Sequence, residues 1–354
     1  MVPRESPRIR LARPDVGAEE LAEIGRVLES GQLTMGPKVA ELEELLAAAC
    51  GVEHAVAVSS GTAALHLAVL ALGLGEDDEV LVPAYTFPAT ANVVALSGAR
   101  PVLVDVDPTT FNLDPNQVHG RVSKRTRAIL AVHLFGRPAP LEELPDLPLI
   151  EDAAGALGAS RRGRPCGGLG LAGCLSFHPR KIVTTGEGGA VTTNDVRIAE
   201  TARELRHHGW RDAEMPRPGL NYRLSDVLCA LGIPQLRRLD ELLAARARVA
   251  AAYAARLEGV VELPAAEEGD VHGWQAYVVR LDRRDEALQA LRAEGIEAQI
   301  GTYALHRLAP YRDQGSFPGA DACFERALAL PFHSALAEPD LDRVAEVLTR
   351  VVSE

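Results

Sequence analysis

Lys181 is the residue of this sequence best suited to covalent chemistry. It follows an apolar segment at 174–177, which we predict to be a buried strand, and precedes a glycine-rich turn and a second predicted strand at 190–193. An amine among apolar neighbours loses hydration, which lowers its pKa and makes it a nucleophile for a carbonyl group. A solvated loop lysine is the alternative, so a lysine-bound cofactor requires further sites elsewhere in the chain.

Small residues at 60–62 connect a predicted strand at 55–59 to a predicted helix whose first turn contains Gly61 and Thr62. The first N–H groups of a helix have no acceptor within the helix, and the helix dipole is positive at that end. This junction therefore suits a phosphate group. An ordinary N-cap would explain the same residues.

Asp152 follows an apolar run at 147–150, with Glu151 between them, and precedes two alanines. A carboxylate is costly to bury unless a cation or several donors meet it. A protonated pyridine nitrogen would serve as that cation. The alternative is an aspartate that caps a following helix.

Apolar strands and helical segments alternate around these residues. This alternation predicts an α/β fold with a mostly parallel sheet covered by helices on both faces, in which ligands bind at the carboxyl ends of strands. Beyond Gly259 the pattern changes to a short α+β segment. We therefore predict a large domain at 1–245, with an N-terminal helical segment, and a small C-terminal α+β domain at 246–354.

The glycine pattern GLGLAG at 168–173 is similar to a dinucleotide-binding motif. It precedes a predicted strand, whereas such a motif follows one and opens a helix. We interpret it as a turn.

Composition argues against several classes of protein. The chain has 354 residues and a net charge of -12, so a basic surface for nucleic acid is not expected. No apolar run approaches the roughly 20 residues of a membrane span, and the first residues lack the apolar core of a signal peptide. We expect a cytoplasmic protein. Five cysteines without a CxxC pair indicate neither a disulfide framework nor a metal site.

Several motifs occur in order along nearly the whole chain. They include SSGTAALHLAV, PAYTFPATAN, EDAAGA, SFHPRKIVTTGEGGAVTT, GLNYRLSDVLCALGIPQL and LPFHSAL. This series resembles the DegT/DnrJ/EryC1/StrS family of sugar aminotransferases, which are pyridoxal-phosphate enzymes of the aspartate-aminotransferase fold (fold type I).

The resemblance implies that pyridoxal 5'-phosphate is the cofactor and that Lys181 binds it covalently and moves the proton. It implies that Asp152 pairs with the pyridinium nitrogen, so that the ring acts as an electron sink. The phosphate would be held by the backbone at Gly61 and Thr62 and by the hydroxyl of Ser176.

The resemblance also implies that Phe87 stacks on the cofactor ring and that Asn221 reaches the phosphate of a neighbouring subunit. The active site would then be shared across the interface of a homodimer. His178, Tyr303 and His306 are candidates for the substrate side, although loop histidines are often merely solvated.

Two positions depart from the family pattern. Many relatives have Gln or His where this chain has Gly155, and that side chain touches the ring oxygen of the cofactor. Many have an aromatic residue where this chain has Gln32, near the substrate entrance.

The implied reaction is a two-stage transamination, from glutamate to a keto group of a nucleotide-activated deoxy sugar, as in perosamine synthases. Aminotransferases acting on cyclitols or aminobenzoate precursors remain alternatives. So do a sugar dehydratase, although such relatives replace the lysine with histidine, and a non-catalytic regulatory member of the family. The keto acceptor, the carbon aminated and the stereochemistry stay open.

Overall fold

The computed structural model describes residues 8–354. The helices are α1 (Ala18–Ser30), α2 (Pro37–Cys50), α3 (Gly61–Ala71), α4 (Ala89–Leu96), α5 (Pro115–Arg121), α6 (Val196–Arg206), α7 (Asp226–Arg237), α8 (Leu239–Leu257), α9 (Arg284–Ala293), α10 (Pro318–Arg326) and α11 (Glu338–Ser353). The strands are β1 (His54–Val58), β2 (Glu79–Pro83), β3 (Tyr85–Thr86), β4 (Arg100–Val104), β5 (Thr126–Val132), β6 (Leu149–Asp152), β7 (Ser160–Arg161), β8 (Arg164–Pro165), β9 (Ala172–Ser176), β10 (Gly189–Thr193), β11 (Tyr277–Arg280), β12 (Gln299–Ile300), β13 (Tyr303–Ala304) and β14 (Ala327–Leu330).

A seven-stranded sheet forms the centre of the molecule, in the order β1-β10-β9-β6-β5-β2-β4. The pairs from β9 through β6, β5 and β2 to β4 are parallel, and β10 runs antiparallel to both of its neighbours. This sheet confirms the predicted α/β class with a mostly parallel sheet.

Helices cover both faces of the sheet, as the side chains of β1 illustrate. Val56 and Val58 belong to the core cluster that includes α3 and α6, whereas Ala55 and Ala57 belong to the cluster that includes α2 and α7. Successive residues of a strand point to opposite faces, and here both directions meet a helix. The strands are therefore largely apolar, and β2 is buried along its whole length.

A second hydrophobic core lies around the antiparallel sheet β11-β14-β12 and the helices α8, α9 and α11. Ile9, near the N-terminus, packs into this core as well. By contrast, Leu305, Phe317 and Cys323 belong to the hydrophobic core cluster that contains the large sheet. The boundary between residues 245 and 246 stays a prediction.

The five cysteines are free thiols in buried positions. In the part of the chain from 8 to 354, no helix has the length and apolar character that crossing a membrane requires.

Candidate active site

Lys181 lies in a turn just beyond β9, at the carboxyl edge of the large sheet. Its side chain is half-buried, and its backbone N–H donates to the carbonyl of His178 at 2.8 Å. Burial lowers the pKa of the Lys181 amine to about 8, against an opposing effect of the nearby Asp152 carboxylate. The positive charges of Arg180 and Arg246 lower this pKa further. The predicted desolvated amine is present in the structure.

The turn that carries Lys181 is fixed by a buried amide. Gln235 of α7 accepts from the backbone N–H of Thr184 at 2.9 Å and donates to its carbonyl at 2.8 Å. The hydroxyl of Thr184 donates to the carbonyl of Phe177 at 2.8 Å. These hydrogen bonds therefore fix the conformation of the backbone that carries Lys181.

Asp152 is the last residue of β6 and its side chain is buried. One carboxylate oxygen accepts from the hydroxyl of Thr90 at 2.9 Å and the other from the backbone N–H of Ala154 at 3.2 Å. Burial raises the pKa of Asp152, although these two donors and the charge of Lys181 oppose that shift. Residues 153–159 form turns, so Asp152 does not cap a helix. The group is a buried acid that a cationic ligand would stabilise.

The neighbouring residue Glu151 has a structural role. Its carboxylate accepts from three backbone N–H groups of the turn at 167–170 and from Nε2 of His133 at 2.9 Å. Because Nδ1 of His133 accepts from the N–H of Ala139, the hydrogen of this imidazole lies on Nε2. The first part of the glycine pattern at 168–173 is therefore a turn around a buried carboxylate, as we interpreted it, and its last two residues begin β9.

The junction of β1 and α3 lies against the end of β9. Ser60 caps α3, and its hydroxyl accepts from the N–H of Ala63 at 3.0 Å. The N–H groups of Gly61 and Thr62 precede the first intrahelical bond and remain available to a ligand. A Cβ at Gly61 would lie 2.7 Å from the Cβ and 3.1 Å from the Oγ of Ser176. The three predicted phosphate contacts therefore share one small cradle.

Phe87 and Tyr303 form an open aromatic wall. Their ring centroids are 6.2 Å apart with an angle of 62° between the ring planes, and β3 pairs with β13 beside them. Phe87 is 60% exposed, so its ring is accessible to a ligand. His178 is exposed as well, and its Nδ1 accepts from the N–H of Arg180 at 3.3 Å.

Neither His306 nor Asn221 is part of this aromatic wall. Nε2 of His306 lies 3.0 Å from the carboxylate of Asp321, and its ring packs on Phe317. This histidine is already engaged with α10 and its N-terminal flank. Asn221 is exposed, and its side chain makes no hydrogen bond within the described range 8–354. The substrate role of His306 and the phosphate contact of Asn221 stay predictions.

Sequence analysis missed Thr90 and Arg246. Thr90 lies in the first turn of α4, where its hydroxyl is 3.2 Å from that of Thr86 in β3, and nothing in the local sequence marks it for a role beside Asp152. Arg246 donates to the carbonyl of Lys181 at 3.3 Å, but nothing distinguishes it from the other arginines of the long helix α8.

The amine, the buried acid and the phosphate-sized cradle match the donor set that pyridoxal phosphate needs. The model of the DegT/DnrJ/EryC1/StrS aminotransferase family matches residues 14–349. The GDP-perosamine synthase of Caulobacter vibrioides is 40% identical, over 98% of this chain and 99% of the relative.

Solved structures show the same likeness. DesI, solved in the presence of its TDP-sugar product, is 35% identical with a TM-score of 0.93, over 99% of this chain and 94% of that chain. The PLP form of Spr1654 from Streptococcus pneumoniae, a putative sugar aminotransferase, is 28% identical with a TM-score of 0.92, over 97% and 98% of the two chains. These matches confirm the resemblance seen in the sequence, and the chain belongs to the DegT/DnrJ/EryC1/StrS aminotransferase family.

Proposed function

We propose that this aminotransferase uses pyridoxal 5'-phosphate to move an amino group from glutamate to a keto group of a nucleotide-activated deoxy sugar. The observation that carries the proposal is the half-buried amine of Lys181, whose pKa is lowered to about 8, at the same sheet edge as the buried acid Asp152. Burial favours the neutral amine, which is the form of a lysine that attacks a carbonyl.

Bound pyridoxal phosphate would supply an aldehyde for the amino group and a protonated ring that delocalises an electron pair. Asp152 would keep the ring nitrogen protonated, because a buried carboxylate favours a cationic neighbour. Gly61, Thr62 and Ser176 would hold the phosphate. Phe87 would stack on the ring.

The Nζ atom of Lys181 would accept and return the proton. With a pKa of about 8, roughly one-tenth of this amine is neutral at pH 7. An unperturbed lysine of pKa 10.5 would be neutral about 300 times less often. The burial of Lys181 therefore makes a general base available near neutral pH.

The proposed acceptor rests on the relatives. One relative is named a GDP-perosamine synthase, DesI was solved with its TDP-sugar product, and both match nearly the whole chain. Lys181 favours transamination over the dehydratase alternative, in which histidine takes its place. The intact lysine, acid and cradle disfavour a silent regulatory protein.

Cofactor attachment provides the first test. The chain contains three lysines, at positions 38, 124 and 181. Borohydride reduction of the protein with pyridoxal phosphate, followed by peptide mass mapping, should label Lys181 alone. Label on Lys38 or Lys124, or none, would refute the assignment. Lys181→Ala should abolish the absorption band of the bound cofactor.

The substrates are tested by the two half-reactions. Glutamate should convert the bound cofactor to the pyridoxamine form, and a panel of nucleotide-linked 3-keto and 4-keto sugars should then be scanned for the one that reverses the change. If no amino donor changes the spectrum, the regulatory alternative is favoured. Reversal only by a cyclitol ketone would redirect the substrate class.

We also propose a homodimer in which Asn221 acts on the phosphate of the partner's site. Mixing Lys181→Ala with Asn221→Ala subunits tests this directly. If Asn221 acts across the interface, a hybrid dimer contains one complete site and the inactive variants regain activity on mixing. If Asn221 acts within its own subunit, both sites of the hybrid stay defective.

A further inference from the structure

Gly155 and Gln275 are in contact beside Asp152. Gly155 lies in the turn that follows β6, three residues after Asp152. A Cβ at Gly155 would lie 3.3 Å from Cβ and Cγ of Gln275 and 3.4 Å from its Oε1. The Gln275 side chain therefore occupies the space that a side chain at position 155 would need.

The backbone of Gln275 is held on both sides. Its N–H donates to the carbonyl of Phe135 at 3.1 Å, just beyond β5, and its carbonyl accepts from Nη1 of Arg246 at 3.0 Å. Nη2 of the same arginine donates to the carbonyl of Lys181 at 3.3 Å. One buried guanidinium thus connects the Gln275 segment to the turn of the reactive lysine.

The side-chain amide of Gln275 is free to bind a ligand. Within residues 8–354 its amide has no hydrogen-bond partner, and the residue is only partly buried. Gln275 lines a cleft together with Arg180 and Gln299. Unlike Gln275, these two residues form a side-chain hydrogen bond, in which Arg180 donates to Gln299 at 2.9 Å. The few polar groups that line a binding cleft fix the orientation of the ligand, and this amide is available for such a contact.

The order of the strands identifies the ligand atom. In the sheet, β6 lies between β9, on the phosphate side, and β5, on the Gln275 side. In pyridoxal phosphate, the 3-oxygen and the phosphate arm lie on opposite sides of the aldehyde carbon. With the ring nitrogen at Asp152 and the phosphate beside Ser176, the 3-oxygen faces the β5 side.

We propose that the side-chain amide of Gln275 donates a hydrogen bond to the 3-oxygen of the bound cofactor, in place of a side chain at Gly155. The inference rests on the proposed use of pyridoxal phosphate. Gln275 is a positioning residue that would fix the tilt of the ring, and it lies more than 100 positions along the chain from Gly155.

Two probes test this contact on the apoprotein by equilibrium titration. They are pyridoxal phosphate and its 3-deoxy analogue, which lacks the oxygen. Gln275→Ala should weaken the binding of pyridoxal phosphate about tenfold to a hundredfold, as for a hydrogen bond to a charged group, and change the affinity for the analogue less than about twofold. Gln275→Met keeps the shape of the side chain and should give the same result if the alanine variant folds poorly.

Two further variants sharpen the test. Gly155→Gln on the Gln275→Ala background should restore the preference for the oxygen-bearing probe. Gln299→Ala, which removes another amide of the same cleft, should leave that preference unchanged. Equal losses for both probes, or no loss, would overturn the inference and leave the proposed function intact. A wild-type protein that binds neither probe would refute the proposed function, and the inference with it.

Discussion

Lys181→Met should make the apoprotein more stable at neutral pH, although it removes the reactive group. The native state buries the ammonium group of Lys181, and the unfolded chain returns it to water. Methionine has a similar length and no charge, so it removes the cost of desolvation while largely keeping the packing.

The expected gain in the free energy of unfolding follows from the pKa of Lys181. Burial lowers the pKa of Lys181 from 10.5 to about 8. At 1.36 kcal/mol for each pH unit, this difference corresponds to roughly 3 kcal/mol in the free energy of unfolding. Below pH 8 both states hold the proton and the full penalty is present. Between pH 8 and 10.5 the native state loses the proton first, so the stability of the wild type rises with pH.

The assay is urea unfolding of the apoproteins at several values between pH 7 and pH 10.5. The advantage of Lys181→Met should be about 3 kcal/mol or less at pH 7 and should shrink to near zero at pH 10.5. Apart from Asp152, whose pKa the charge of Lys181 lowers, the titrating groups are shared by the two proteins, so their effects cancel in the difference. The exposed Lys124 is the matched control, and Lys124→Met should change stability by less than about 0.5 kcal/mol at any pH.

A stability difference between the wild type and Lys181→Met that does not vary with pH would refute this reasoning. It would mean that the amine is solvated in the folded protein. The case for Lys181 as a general base near neutral pH would then be lost.

Three further predictions concern the buried acid Asp152, the phosphate cradle at Gly61 and the buried ion pairs of Arg161. Asp152→Asn should lower kcat/KM about a hundredfold or more, because an amide cannot balance a ring cation, while the apoprotein keeps its stability. Gly61→Ala should destabilise the apoprotein by about 1–3 kcal/mol in urea unfolding, because the new methyl group overlaps Ser176. Arg161→Met should cost about 3 kcal/mol in the same assay, because the 4% exposed guanidinium pairs with carboxylates from two separate segments of the chain, including one of 2% exposure.

Each of these has a matched control. Asp152→Glu keeps the charge and should retain more activity than Asp152→Asn; equal losses would assign the effect to shape. Adding Ser176→Gly to Gly61→Ala removes the overlapping Cβ and should recover stability, and no recovery would contradict the packing argument. Arg162, 64% exposed, is the control for Arg161, and equal effects of the two methionine substitutions would show that burial of the ion pairs is irrelevant.

The sequence by itself determined the local features. Alternating apolar strands and helices predict the α/β sheet, because burial on both faces requires continuous apolar runs. The same logic places Lys181 and Asp152 at strand ends, where parallel sheets bind ligands. The small residues before α3 likewise predict an anion site, because the unpaired N–H groups of a helix start are a property of a few consecutive residues.

Only the tertiary structure decided which distant residues meet. The hydroxyl of Thr90 reaches Asp152 across 62 positions, and Gln275 fills the space beside Gly155. Such contacts depend on the order in which strands pair and on the side of the sheet from which later segments return. No local periodicity or spacing encodes that order, because the pairing of strands depends on contacts between residues far apart in the chain and on the packing of the whole core.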